Sequence, residues 1–107
     1  MATAIIGAGM AGLAAAAALK SGGQAVRLFD KGRGPGGRMA TRRTKLGEAE
    51  IAVDHGAQYF TVRSAEFRAA VDVWSRAGAV AEWGDGRHVG TPGMSNVIRA
   101  MAAPQDV

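Results

Sequence analysis

The chain has no cysteine. Disulfides, thiolate metal sites and cysteine nucleophiles are therefore excluded, and the absence is compatible with a reducing compartment. No basic n-region precedes the uncharged stretch from Thr3 to Leu19, so that stretch does not read as a secretory signal. Nor does it read as a membrane span, which needs about 20 largely apolar residues, because Gly7, Gly9 and Gly12 interrupt it. A cytoplasmic location without membrane attachment is the expectation. There is no internal repeat and no linker-like stretch in the 107 residues. A single chain of this length is able to bury well over half of the surface its unfolded form exposes.

Glycine, by contrast, is abundant: 16 residues, about twice the usual ~7%. Without a collagen period, such an excess implies backbone that turns tightly or approaches something closely. Thirteen Lys and Arg stand against nine Asp and Glu, a formal charge of +4. This balance suits an anionic ligand without itself indicating nucleic acid.

The order of elements is legible from periodicity. Ala4-Ile5-Ile6 reads as a buried strand ending at glycine. From Met10, the apolar residues Met10, Leu13, Ala14 and Ala17 share one helical face, and Gly22-Gly23 ends that helix. Ala25 to Phe29 form a second strand that stops at Asp30. Lys31 to Lys45 holds four glycines, one proline and six basic residues, and reads as a loop. A short strand is expected over Ile51 to Val53. A helix over 65–76 follows, capped by Ser64, with Phe67, Ala70, Val71 and Trp74 on one face. Val80 to Trp83 and Arg87 to Val89 are candidate strands joined at Gly84-Asp85-Gly86. A last helix over 94–101 has Ser95 or Thr91 as possible caps.

The first motif is Gly7-Ala8-Gly9-Met10-Ala11-Gly12. A lone G-x-G-x-x-G would be weak, but this one follows a strand, opens a helix and precedes a second strand ending in an acid. Gly7 permits the turn out of the strand. Gly9 lets a pyrophosphate approach the backbone, and Gly12 lets helix and sheet pack closely. The helix start, including Met10 and Ala11, presents N–H groups and a positive dipole end to a diphosphate. Asp30 lies 18 positions beyond Gly12, near the spacing of about 20 expected for a ribose-binding acid. Its charge favours FAD or NAD over a 2′-phosphorylated cofactor. The fold class expected is α/β, a Rossmann-type FAD/NAD(P)-binding βαβ fold. Residues 1–60 would form the ADP-binding unit and 61–107 the start of a substrate or cap region.

After Asp30 comes Lys31-Gly32-Arg33-Gly34-Pro35-Gly36-Gly37-Arg38-Met39. Here the sequence resembles the FAD-dependent amine oxidase superfamily, which carries G-G-R in a short loop after its second strand. The resemblance implies that the Gly36-Gly37 backbone lies beside the cofactor, with Lys31 and Met39 in the same loop, and that Arg38 faces its phosphates. A guanidinium fork matches phosphate oxygens and keeps its charge. Arg33, Arg42, Arg43 and Lys45 read instead as a solvated basic rim. Asp54-His55-Gly56-Ala57-Gln58-Tyr59-Phe60, together with Val89 to Ser95, is similar to the renalase-like group of that superfamily, especially its bacterial members. That likeness makes His55, Gly56, Ala57, Gln58 and Tyr59 candidate flavin contacts. It also implies a longer, two-domain parent of which this chain is the N-terminal portion.

The implied activity is oxidation of reduced nicotinamide dinucleotide isomers, with molecular oxygen as acceptor and hydrogen peroxide as product. An amine is the alternative substrate. The cofactor carries the reactivity, so no side chain is assigned as catalytic and no metal is expected. His55 has no orienting carboxylate beside it in sequence and reads as a packing residue. Two other classes remain. A plain NAD-dependent dehydrogenase domain explains the first motif and Asp30 but leaves the later motifs without a purpose. A non-catalytic nucleotide- or nucleic-acid-binding module would use the basic loop, yet no aromatic ladder or groove-reading helix accompanies it.

Overall fold

The computed structural model describes residues 2–32 and 37–104. Its first unit is β1 (Ala2–Ile6), α1 (Met10–Ser21) and β2 (Ala25–Phe29), with the two strands parallel and Ile5 beside Leu28. This is the right sequence for a βαβ crossover: an Ala-rich helix between two short apolar strands. The alternation of β1 and β2 is that of a sheet covered on one face. Thr3, Ile5, Val26 and Leu28 turn towards the protein, while Ala4, Ile6 and Phe29 are exposed. The expectation of a fully buried first strand is thus corrected: α1 covers one side, and Ile6 on the other is 84% exposed.

Helix α1 buries Leu13 and Ala16. Of the stripe Met10, Leu13, Ala14 and Ala17 only Leu13 is buried, and the four border an apolar groove shared with Phe67, Trp74 and Met101. An alanine-rich helix has similar hydropathy on every side, so its periodicity could not say which face meets the sheet.

A 3₁₀ turn at Gly37–Met39 leads into β3 (Thr41–Leu46), paired antiparallel with β4 (Ala49–Asp54). The loop expected over Lys31 to Lys45 is therefore corrected from Gly37 onward. Arg42, Arg43 and Lys45 do form a solvated basic edge, but on a strand, since a two-stranded hairpin leaves both faces in water where charge carries no burial cost. The β-branched Thr41 and Thr44 fit that strand.

The remaining elements are β5 (Phe60–Thr61), α2 (Ala65–Arg76), β6 (Val80–Gly84), β7 (Arg87–Gly90) and α3 (Ser95–Ala102). The three strands form one antiparallel sheet in the order β5-β7-β6. Helix α2 begins where the sequence says, with the Ser64 Oγ accepting from the Phe67 amide at 3.1 Å. Phe60 packs against Phe67 and stacks on His88, and Phe67 meets Trp74 edge-on. One apolar cluster joins these pieces: Leu13 and Leu28 from the βαβ unit, Met39 from the turn, Val71 and Val80, and Met94, Val97 and Ile98 around α3. Among the described residues no helix is long and apolar enough to cross a membrane.

Candidate functional site

The turn from β1 into α1 is built from main chain. Gly7 has φ +106°, a conformation costly for any side chain, and its amide donates to the Phe29 carbonyl at 2.6 Å, extending the parallel ladder by one bond. Gly9 is the N-cap of α1, and its carbonyl accepts from the Leu13 amide at 3.0 Å. No side chain caps this helix and no acidic residue lies in its first turn. Its leading amides and positive dipole end are thus available to an anion. Gly12 faces the turn directly, and a Cβ there would overlap the Gly7 carbonyl oxygen.

These residues form one wall of a cleft of about 600 Å³, and the 3₁₀ turn forms the other. Gly7, Gly9, Met10, Ala11 and Gly12 line the first wall; Gly37, Arg38 and Met39 line the second. The two glycine-containing loops, separate in sequence, are brought face to face, with Gly37 against the Gly9 backbone. Among the described lining residues Arg38 carries the one charged side chain, and it is exposed. The apolar groove between the helices is of similar volume, about 560 Å³, but its alanine, phenylalanine and tryptophan walls offer nothing to a phosphate.

Asp30 sits behind this wall, at the end of β2. Its Oδ1 accepts from the Ala8 amide at 3.0 Å and its Oδ2 from the Gly32 amide at 2.9 Å. The Ala8 bond above all, then the Gly32 bond and, least, the neighbouring Lys31 charge hold its pKa below the ordinary 3.8, against an opposing effect of desolvation. The carboxylate therefore splints the glycine turn to the loop after β2. Each carboxylate oxygen keeps accepting capacity for a hydroxyl. Of the other candidates in that loop, Lys31 is exposed, while Arg33 and Gly36 lie outside the described residues.

The segment His55 to Tyr59 lies behind the second wall. A Cβ on Gly56 would overlap the Arg38 carbonyl oxygen, and the Ala57 amide donates to that oxygen at 2.9 Å. Close approach at Gly56 is thus to the main chain of the Arg38 turn. His55 and Gln58 are exposed. Tyr59 is half-exposed on the outer side of the three-stranded sheet, 6.4 Å from Trp83 by ring centroid, with the Arg87 guanidinium 5.1 Å over its ring. None of the five lines the cleft.

Thr41, not singled out from sequence, and Asp54, read there only as the first residue of a motif, connect these parts. The Thr41 hydroxyl donates to Asp54 Oδ1 at 2.6 Å, and the Met94 amide donates to the same oxygen at 2.9 Å. The Ser95 amide donates to Thr41 Oγ1 at 3.0 Å. The start of α3 is therefore capped from the β3–β4 hairpin. Ser95 or Thr91 was the expected cap, but neither side chain caps α3: Ser95 supplies only its amide, and the Thr91 hydroxyl donates to the Gly78 carbonyl. Asp54 shared with Asp30 one legible signal, an acid ending an apolar strand; Thr41 had none. Among the described residues no group of three or more His, Asp or Glu is placed to hold a metal ion.

A parallel βαβ crossover with an uncapped, glycine-opened helix at the edge of a cleft defines a dinucleotide-binding Rossmann-type fold. The chain belongs to the NAD(P)-binding Rossmann-like domain family, whose model matches residues 5–77. That match runs from β1 to the end of α2 and takes in the whole cleft. Domains of this family occur in FAD-dependent oxidoreductases, amine oxidases among them.

Proposed function

We propose that this chain is the portion of a flavin-dependent oxidoreductase that grips the ADP half of FAD. The observation carrying this reading is the two-walled cleft, with the start of an uncapped helix on one wall and Arg38 on the other. A diphosphate needs donors on more than one side and tolerates no Cβ where the backbone must approach, and the cleft meets both conditions. Its volume lies within the ~300–1,000 Å³ of small-molecule sites. Met10, Ala11 and Gly12 amides would hold one phosphate, Arg38 would neutralise the pair, and Asp30 would orient the adenosine ribose. The cleft as built would take the ADP half common to FAD and NAD; what supports FAD is the resemblance of the Gly36-Gly37-Arg38 segment to the G-G-R of the FAD-dependent amine oxidase superfamily.

Bound flavin would supply the redox chemistry, and the residues of this chain bind and orient it. For the protein carrying this unit, the activity we propose is renalase-like: oxidation of reduced nicotinamide dinucleotide isomers, with oxygen as acceptor and hydrogen peroxide as product. Oxidation of an amine is the second reading. His55 to Tyr59 remain proposed flavin contacts, in addition to the support that Gly56 and Ala57 give the Arg38 turn.

The test is calorimetric titration of the full chain with FAD, ADP and NAD in parallel, followed by acid release and identification of any nucleotide carried through purification. Binding of FAD and ADP with similar affinity, weakened by Arg38→Ala, is the expected result. Binding of NAD alone would replace the flavin reading with the nicotinamide one. No binding of any of the three would refute the site.

A further inference from the structure

Arg38 sits on a short turn with little regular structure of its own: the Ala40 amide donates to the Gly37 carbonyl at 3.1 Å and closes the single 3₁₀ loop. An exposed cation on such a turn would have to be ordered by the ligand, and the entropy of ordering would subtract from affinity. The turn is not left to itself. Three residues after Arg38, Thr41 hydrogen-bonds Asp54, and Asp54 and Thr41 together receive the Met94 and Ser95 amides. Two residues after Asp54, Gly56 and Ala57 close on the Arg38 carbonyl. The Arg38 carbonyl and the exit of the turn thus trace back to the same pair of side chains.

The anchor at the other end is rigid. Met94, Val97 and Ile98 are fully buried in the core, so the start of α3 is fixed by packing. The Asp54 carboxylate at that helix start also complements its dipole. Neither Asp54 nor Thr41 lines the cleft, so any effect on a ligand passes through the turn.

We propose that Asp54 and Thr41 are positioning residues, which hold the Arg38 turn against the start of α3 so that the main chain carrying its guanidinium is fixed before a phosphate arrives. This inference rests on the reading of the cleft as a dinucleotide site, and its test separates the two. Asp54→Ala and the near-isosteric Thr41→Val remove the link, whereas Asp54→Asn and Thr41→Ser keep an accepting oxygen and a hydroxyl. Amide hydrogen exchange is measured by NMR on the full chain without ligand, then ADP is titrated into each variant with Arg38 present and with Arg38→Ala.

In the disrupting variants the Ala40 and Ala57 amides should exchange roughly tenfold faster, the size of one or two lost hydrogen bonds, with the amides of α2 unaffected. ADP affinity should fall about five- to tenfold with Arg38 present and not at all in the Arg38→Ala background. The conservative variants should restore both. Unchanged protection at Ala40 and Ala57 would overturn the proposal. An equal loss of ADP affinity with and without Arg38 would overturn it too, since that is the mark of general destabilisation. Should the unmodified chain bind neither ADP nor FAD, the dinucleotide reading fails on its own, and amide protection alone decides whether the turn is held.

Discussion

Replacing Gly56 by alanine adds one methyl group at a point where main chain meets main chain. The new Cβ would overlap the Arg38 carbonyl oxygen and lie 3.1 Å from the Arg38 carbonyl carbon. Relief to an ordinary separation of about 3.5 Å from that oxygen requires the Arg38 turn or the 55–57 segment to retreat by roughly 1.4 Å. No rotamer change can supply that movement, because both partners are backbone. The retreat breaks the Ala57–Arg38 hydrogen bond, at about 1 kcal/mol, and adds overpacking strain of about 1–3 kcal/mol. A loss of about 2–4 kcal/mol should lower Tm by about 10–20 °C in a domain of this size. Displacing Arg38 from a phosphate should also weaken ADP binding roughly ten- to hundredfold, the worth of one charge-assisted bond. Urea melts followed by tryptophan fluorescence and calorimetric ADP titration read the two effects. Gly22→Ala is the matched control: its Cβ would meet Leu19 O at an ordinary 3.4 Å, and φ there is −84°. That variant should be neutral or slightly more stable. If Gly56→Ala melts and binds like the unmodified chain, the packing account of the second wall is wrong.

Gly12→Ala should cost about 2–4 kcal/mol, because α1 must lift from the Gly7 carbonyl and loosen Leu13 and Ala16; the urea midpoint measures it. Asp30 gives a pH dependence. Its folded pKa lies below the ordinary 3.8, so its contribution to stability is complete above that value and is lost as pH falls through the lower, folded one. Between about pH 5 and pH 2.5 the urea midpoint should therefore fall more steeply for the unmodified chain than for Asp30→Asn.

Much of the first wall could be read from sequence because its logic is local. Gly7, Gly9 and Gly12 sit within one turn, and the Ser64 cap lies three residues from the amide it serves. Helix α2 and the β6–β7 hairpin carry amphipathic or turn signals confined to a few residues. The second wall is different. Gly56 advertised a close approach, but a glycine does not name its partner, and the Arg38 carbonyl is 18 residues earlier in the chain. Strand β3 was hidden by its charge, since Arg42, Arg43 and Lys45 suppress the apolar alternation that marks a half-buried strand. The Thr41–Asp54–Met94 link joins residues 13 and 40 positions apart through polar side chains of ordinary spacing. Nothing periodic records it.

The contacts at Gly12 and Gly56 carry a consequence for how the chain tolerates change. At Leu13, fully buried among other side chains, replacements form a slope: methionine or isoleucine cost little and smaller residues progressively more. At the two glycines there is no slope. Alanine, the smallest possible addition, already occupies the forbidden volume, so every substitution meets the same obstacle whatever its polarity or charge. A library of variants scored for folding and ADP binding would thus show two kinds of position around one cleft: graded ones set by what a side chain supplies, and all-or-none ones set by what is missing.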